Sequence, residues 1–306
     1  MTDLQTPIKD AGFAEGFLLP VAPYTDWTRH RNDGVFHPNT NPLASDPREA
    51  YPWANAVLIC VLPYTPYTDE TLVASYYPAS NAGYHAMKRL LALLEDAGIR
   101  AERAETPYRE QLASYGIGSR MDNQLLYLEP YGTYINLQGA MLSLPEPVAY
   151  TPRREPEEVC DHCGLCQTVC FGAIKGNYAF DWRRCVHTYL EGDPIPWDAM
   201  EWLPSLLGCM RCQQVCPKNP KTTVPIPDAV KETLDPVAVL KGNRNKAGEL
   251  IGKNLAAPKR LLRQAIVLAA NRGRTDALPY LLKLRETDGE RFAAELDYAI
   301  SLLQNQ

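Results

Sequence analysis

Eight of this chain's nine cysteines fall between residues 160 and 216, and their spacing constrains it more than any other feature. "CDHCGLCQTVCFGAIKG" sets Cys160, Cys163 and Cys166 three residues apart and Cys170 four residues further on. "RRCVHTYLEG" adds Cys185, and "GCMRCQQVCPKNP" adds Cys209, Cys212 and Cys216. A chain of 306 residues can bury a core without disulfide staples. "MTDLQTPIKDAGF" lacks the basic start and apolar run of a signal peptide, which predicts a cytoplasmic location, where disulfides are disfavoured. Two four-cysteine zinc sites have the right count, but zinc ligands usually come as two pairs separated by a loop. The C-x2-C-x2-C-x3-C run is instead that of bacterial ferredoxins, in which three thiolates grip one 4Fe-4S cluster and the fourth crosses to a neighbour. The remaining cysteines complete that pattern. Cys160, Cys163, Cys166 and Cys216 are expected to hold one cluster, and Cys170, Cys185, Cys209 and Cys212 the other, with none spare. Phe171 stands where the ferredoxin run has proline; proline donates no ligand atom, so the change should alter local packing and not the cluster count.

The rest of the chain reads as α+β. Over residues 1–148, "LQTPIKDAGF" can form a helix leading into "AEGFLLPV", and "NAVLICVLPY" is a short apolar run of the kind that makes a buried strand. Cys60, in that run, is expected to be a small core residue. A helix capped by Asn81 should carry Met87, Leu90, Leu91, Leu93 and Leu94 and stop at Gly98. "GTYINLQGAMLS" alternates well enough for a second strand. The proline-rich "LPEPVAYTPRREPEE" reads as a connector into a two-cluster, ferredoxin-like domain over 149–225. Residues 226–306 read as a helical tail of two or three amphipathic helices, with room for one hairpin repeat.

Net charge is −5, unevenly spread. Between Lys241 and Arg274 nine basic residues meet a single acid, Glu249. Such a segment fits a nucleic-acid footprint or a solvated helix surface. No apolar stretch approaches the ~20 residues of a membrane span, so no membrane partner is expected.

Beyond the cysteines, several stretches resemble the epoxyqueuosine reductases and their close relatives. "ASDPREAYPWANAVLICVLPY", "GYHAMKRLL", "YGIGSRMDNQLLYLEPYGTYINLQG" and both cysteine blocks carry the likeness, and "RLLRQAIVLAANRGRTDALPYLLKL" resembles the family's C-terminal HEAT-type repeat. The resemblance implies reduction of epoxyqueuosine to queuosine in tRNA. It also implies an N-terminal corrinoid-binding-type domain that holds cobalamin, two 4Fe-4S clusters that feed it electrons from an external donor, and tRNA contact through segment 241–274. Under it, Tyr84, His85, Asn123 and Gly132 become candidate cofactor neighbours.

Departures from the family pattern bear on the substrate. Where the family places an Asp three residues before a proline as its proposed proton donor, "AETPYRE" has Ala104, with Glu105 beside it and Glu110 in the trailing Glu position. Glu105 and Glu110 are therefore the candidate acids, because protonating a leaving oxygen needs reach and a suitable pKa more than residue identity; a solvated carboxylate is the plainer account of Glu105. "GIGSRMDN" puts Met121 and Asp122 where the family has glycine and lysine, and keeps Asn123. Two function classes follow. One is a cobalamin-dependent iron-sulfur reductase, on epoxyqueuosine or another substrate; the other is a two-cluster electron-transfer module that docks to a partner protein.

Overall fold

The computed structural model describes residues 4–23, 46–149, 158–191, 194–242 and 244–305. Residues 150–157 of the expected connector, Ala44 and Ser45 of the family-like stretch, and Asn243 of the basic segment lie outside the described residues. The chain is mixed α+β and divides into two units. One comprises Met1–Tyr64, Ala79–Trp182 and Cys212–Lys221; the other comprises Thr65–Pro78, Arg183–Arg211 and Thr222–Gln306.

The first unit is organised by a four-stranded antiparallel sheet in the order β1-β2-β6-β3, with β1 Glu15–Pro20, β2 Ala56–Pro63, β3 Arg100–Arg103 and β6 Ile135–Ser143. β2 is apolar throughout because both of its faces are covered. Successive side chains point to opposite faces, so Ala56, Leu58 and Cys60 join one core with Met87, Leu90 and Leu94 of the helix Tyr76–Asp96. Val57, Ile59 and Val61 join a second core with Leu112 of the helix Tyr108–Ser114 and with Met141. Cys60 is fully buried, and that burial pushes its thiol pKa well up. The long helix begins at Tyr76, not at an Asn81 cap, so Asn81 lies inside it. Pro78 fits this early start, since a first-turn residue needs no N–H and proline's fixed φ is already helical.

The second unit is largely helical. Asp235 caps the helix Pro236–Leu240 by accepting from Val237 N at 2.9 Å and Ala238 N at 3.1 Å. The helices Arg263–Asn271 and Ala293–Gln304 pack together. A buried ion pair between Arg263 and Glu295 and a hydrogen bond from Tyr298 Oη to Asn271 Oδ1 at 2.6 Å tie them. Among the described residues, no helix is long and apolar enough to cross a membrane.

Candidate metal centre

In the first unit, two segments far apart in sequence meet at one cavity, whose wall carries Cys160, Cys163, Cys166 and Cys216. Cys160 and Cys163 sit in the loop that enters the short helix Leu165–Thr168 and Cys166 in that helix, and Gly164 adopts a left-handed φ of 75° that admits the tight entry. Cys216 follows the turn Arg211–Gln214. That turn is fixed to the sheet side of the unit by Asn219, which is 3% exposed. Asn219 Oδ1 accepts from Thr133 N at 2.8 Å, and its Nδ2 donates to Thr133 Oγ1 at 2.9 Å and Gln213 O at 2.8 Å. Thr133 Oγ1 donates to Gln213 Oε1 at 3.1 Å. A Cβ on Gly132 would stand 2.5 Å from Asn219 Oδ1, so glycine there is what lets Cys216's segment approach.

The four thiols are close enough to influence one another. Burial pushes the Cys166 thiol up to about 11, and the neighbouring Asp122, Cys160, Cys163 and Cys216 add to that rise. Four thiols gathered on one wall suit a bound cation, which holds them as thiolates and cancels their repulsion. All nine cysteines are free thiols in this structure. Four cysteines on one cavity wall, spaced more widely than the close tetrahedron of a zinc site, fit the donor set of a 4Fe-4S cluster.

A third segment closes the cavity. The hairpin of β4 Ser119–Arg120 and β5 Leu126–Tyr127 carries Met121, Asp122 and Asn123 at its tip, against the cysteines. Gln124, at φ 64°, makes the turn, and its Nε2 donates to Tyr178 O at 2.7 Å. Asp122, 3% exposed, accepts from Tyr178 N at 2.9 Å and meets His162 Nδ1 at 3.0 Å through the same oxygen. His162 Nε2 in turn meets Glu158 Oε1 at 2.7 Å, and Tyr178 Oη donates to that oxygen at 2.9 Å. Glu158, then Asp122, hold the His162 imidazole above its ordinary pKa, and His162 and Tyr178 hold the Glu158 carboxyl below its own.

The other candidates fall in separate settings. Tyr84 and His85 are exposed on the helix Tyr76–Asp96 with rings 5.4 Å apart, so neither is core packing; Arg103 lies over Tyr84 at 5.4 Å. Asn123 is buried at the hairpin tip and accepts from Leu125 N at 3.2 Å. Gly132 faces Asn219 and Pro220. Glu105 is exposed and pairs with Arg103 at 3.2 Å, whereas Glu110 is buried in the helix Tyr108–Ser114; neither lines the cysteine cavity. Cys170 and Cys212 belong to the first unit, Cys185 and Cys209 to the second. Gly208, before Cys209, has a φ of 77°, and a Cβ there would stand 2.4 Å from Tyr77 Cε2. Sequence reasoning missed His162, Glu158, Tyr178 and Asn219; the only signal for His162 was its place between Cys160 and Cys163.

The basic segment is less free than its composition predicts. Arg263 is buried against Glu295, Arg274 pairs with Asp235 at 2.5 Å and Asp276 at 2.8 Å, and half-buried Arg272 bonds to Thr71 O. Lys241, Lys246 and Lys253 are exposed.

No family model matches the chain. Epoxyqueuosine reductase of Bacillus cereus is 27% identical over 186 residues, covering 56% of this chain and 47% of that protein. Its counterpart in Staphylococcus aureus is 26% identical over 204 residues, covering 63% and 51%. By these identities the chain resembles the epoxyqueuosine reductases at a distance. It spans about half the length of the curated relatives it matches. The fold likeness runs further: the epoxyqueuosine reductase structure from Bacillus subtilis superposes with a TM-score of 0.74 at 19% identity, over 98% of both chains. An epoxyqueuosine reductase solved with an epoxyqueuosine-modified tRNA-Tyr stem loop gives 0.75 at 18% identity, over 99% of this chain and 98% of that one.

Proposed function

We propose that this chain is a member of the epoxyqueuosine reductase family, an iron-sulfur, corrinoid-dependent reductase acting on a modified nucleoside in tRNA. The observation that carries the reading is the meeting of Cys160, Cys163 and Cys166 with Cys216 on one cavity wall, the ligand set that a ferredoxin-like interlock requires. The second cluster, on Cys170, Cys185, Cys209 and Cys212, rests on spacing alone. Interlocked clusters carry single electrons, so an external donor protein delivers them one at a time. A bound corrinoid would supply the low-valent cobalt able to open a stable C–O bond, while the protein supplies position and redox poise. Tyr84 and His85, exposed as a pair, are the candidates still open to that cofactor; the open side of Gly132 is already filled by Asn219 and Pro220. Glu105 is the proposed proton donor. It is exposed one residue from Ala104, and its pairing with Arg103 keeps it ordered. The tail is read as a HEAT-like repeat, and Lys241, Lys246 and Lys253 remain exposed for phosphate contact. Cytoplasmic placement follows from a tRNA substrate.

One observation favours the second reading, an electron-transfer module. Ala104, where the family has its acid, is buried, and Tyr108 Oη donates to its carbonyl at 2.7 Å. Iron, sulfide and cobalt per chain, measured on anaerobic protein supplied with cobalamin, test the first reading: about eight irons with one cobalt support it. Two zincs and no iron sink it. Queuosine and epoxyqueuosine are then measured in tRNA from a strain whose only such gene encodes this chain or its Glu105→Gln variant. Epoxyqueuosine accumulating with the intact chain selects the electron-transfer module.

A further inference from the structure

Asp122 has no part in the cysteine spacing and departs from the family pattern, yet it is the most buried acid in the first unit's described residues. It lies on the same cavity wall as the four cysteines. One of its carboxylate oxygens sits within 4.8 Å of both the Cys160 sulfur and a ring nitrogen of His162, and Oδ1 is the atom that meets His162 Nδ1 and Tyr178 N. That one oxygen serves two residues whose backbones are in the left-handed region, His162 at φ 50° and Tyr178 at φ 61°. A non-glycine residue pays conformational energy to stay there and persists only where its surroundings fix it. The His162 and Tyr178 rings also meet edge to face, with centroids 5.1 Å apart. Asp122 thus pins the loop between Cys160 and Cys163 at its one residue between the cysteines that has an aromatic ring, and it pins the turn between the strands Ile174–Gly176 and Ala179–Phe180.

Charge gives this arrangement a second consequence. Reduction adds an electron to a cluster, and a fixed carboxylate close by opposes that addition. In a poorly solvated site the opposition is strong enough to move an equilibrium by an order of magnitude. Lys218, on the same cavity wall, is paired with Asp161 at 2.8 Å, and the His162 ring that faces Asp122 is shared with Glu158, so even a protonated imidazole answers only one of its two carboxylates.

We propose that Asp122 is a positioning residue for the first cluster: it anchors the Cys160–Cys163 loop through His162 and Tyr178, and its negative charge makes that cluster harder to reduce. The inference rests on the iron-sulfur reading above. The test uses the full chain, prepared anaerobically as wild type, Asp122→Asn and Asp122→Glu, with iron content and a potentiometric titration followed by electron paramagnetic resonance. Asp122→Asn is expected to make one cluster easier to reduce by roughly tenfold at fixed applied potential, a shift of about 59 mV for a one-electron couple. The other cluster should be unmoved, and iron should be lost faster to a chelator. Asp122→Glu, which keeps the charge, should stay near the wild-type potential. An iron-replete Asp122→Asn protein with both potentials at their wild-type values overturns the proposal, as does an Asp122→Glu protein shifted as far as Asp122→Asn. The second comparison decides the matter even if Asp122→Asn fails to load. A wild-type chain that holds zinc and no iron overturns the cluster reading itself and this proposal with it.

Discussion

Replacing Asn219 with alanine isolates the contact that brings Cys216 to the other three thiols. The side chain makes three hydrogen bonds in a region where Thr133 is 3% and Gln213 6% exposed. Gln213 O keeps a partner in Tyr134 Oη at 3.3 Å, and Thr133 Oγ1 keeps Gln213 Oε1 at 3.1 Å, so neither is stranded. Thr133 N is left with no acceptor in a buried place, at a cost of about 1–3 kcal/mol, and the two donated bonds contribute about 1 kcal/mol each. Taken together, the local structure should open about 3 kcal/mol more easily, a roughly hundredfold rise in the opening constant. Native-state hydrogen exchange at Thr133 and along Arg211–Gln214 reads this directly. Iron content in the same samples should fall toward one cluster's worth, because Cys216 is no longer held at the cavity. Wild-type protection with full iron would refute the argument that Asn219 positions the fourth ligand.

Cys216→Ser should cost about half the bound iron, whereas Cys60→Ala should leave iron unchanged and cost about 1 kcal/mol through the small core cavity it opens; colorimetric iron assay and thermal unfolding distinguish them. Gln264 is 1% exposed with neither side-chain atom hydrogen-bonded, so Gln264→Leu should leave thermal stability unchanged or raise it by about 1–2 kcal/mol. Burial holds the Glu70 carboxyl above its ordinary pKa despite bonds from Tyr67 N at 2.7 Å and Ser75 N at 2.6 Å. The folded state therefore binds this proton more tightly than the unfolded one, and its contribution to stability is lost as pH rises from the ordinary carboxylate value through the raised one. Glu70→Gln should flatten that part of a pH-stability profile; an unchanged slope would count against it.

What the sequence disclosed follows from what each feature depends on. The β2 run was legible because a strand covered on both faces must be apolar throughout, and the gathering of Cys160, Cys163, Cys166 and Cys216 on one cavity wall is what their spacing anticipated. The helix start was misplaced because Asn81 is a good cap by residue type, while the chain enters the helix earlier, at Tyr76. The network around Asp122 had no motif. It depends on left-handed backbone at His162 and Tyr178 and on a hairpin tip that reaches residues some forty and fifty-six positions away. The charge count of the basic segment overstated its free cations for a similar reason: composition cannot see that Arg263 finds Glu295 thirty-two residues on.

Position 104 shows how the same logic limits a simple restoration of the family's acid. Ala104 is 1% exposed and belongs to the core beneath β2, with its amide donating to Gly139 O at 3.0 Å. Tyr108 lies across Gly139 so closely that a Cβ there would stand 2.4 Å from its Cε1, and its hydroxyl is spent on Ala104 O. A carboxylate at this position would enter a buried, largely apolar setting whose neighbouring cation, Arg103, is already engaged by Glu105. Ala104→Asp should therefore destabilise the chain by about 3–5 kcal/mol at neutral pH, the cost of an uncompensated buried charge. The group's pKa would be raised in the folded state, so the penalty should shrink as pH falls through that value toward the unfolded one near 3.9. Thermal unfolding at several pH values, with Ala104→Ser as a size control, checks both the magnitude and the sign. If Ala104→Asp matches wild type in stability and raises turnover of epoxyqueuosine in tRNA, the pocket was open to an acid after all, and Glu105 is not the proton donor.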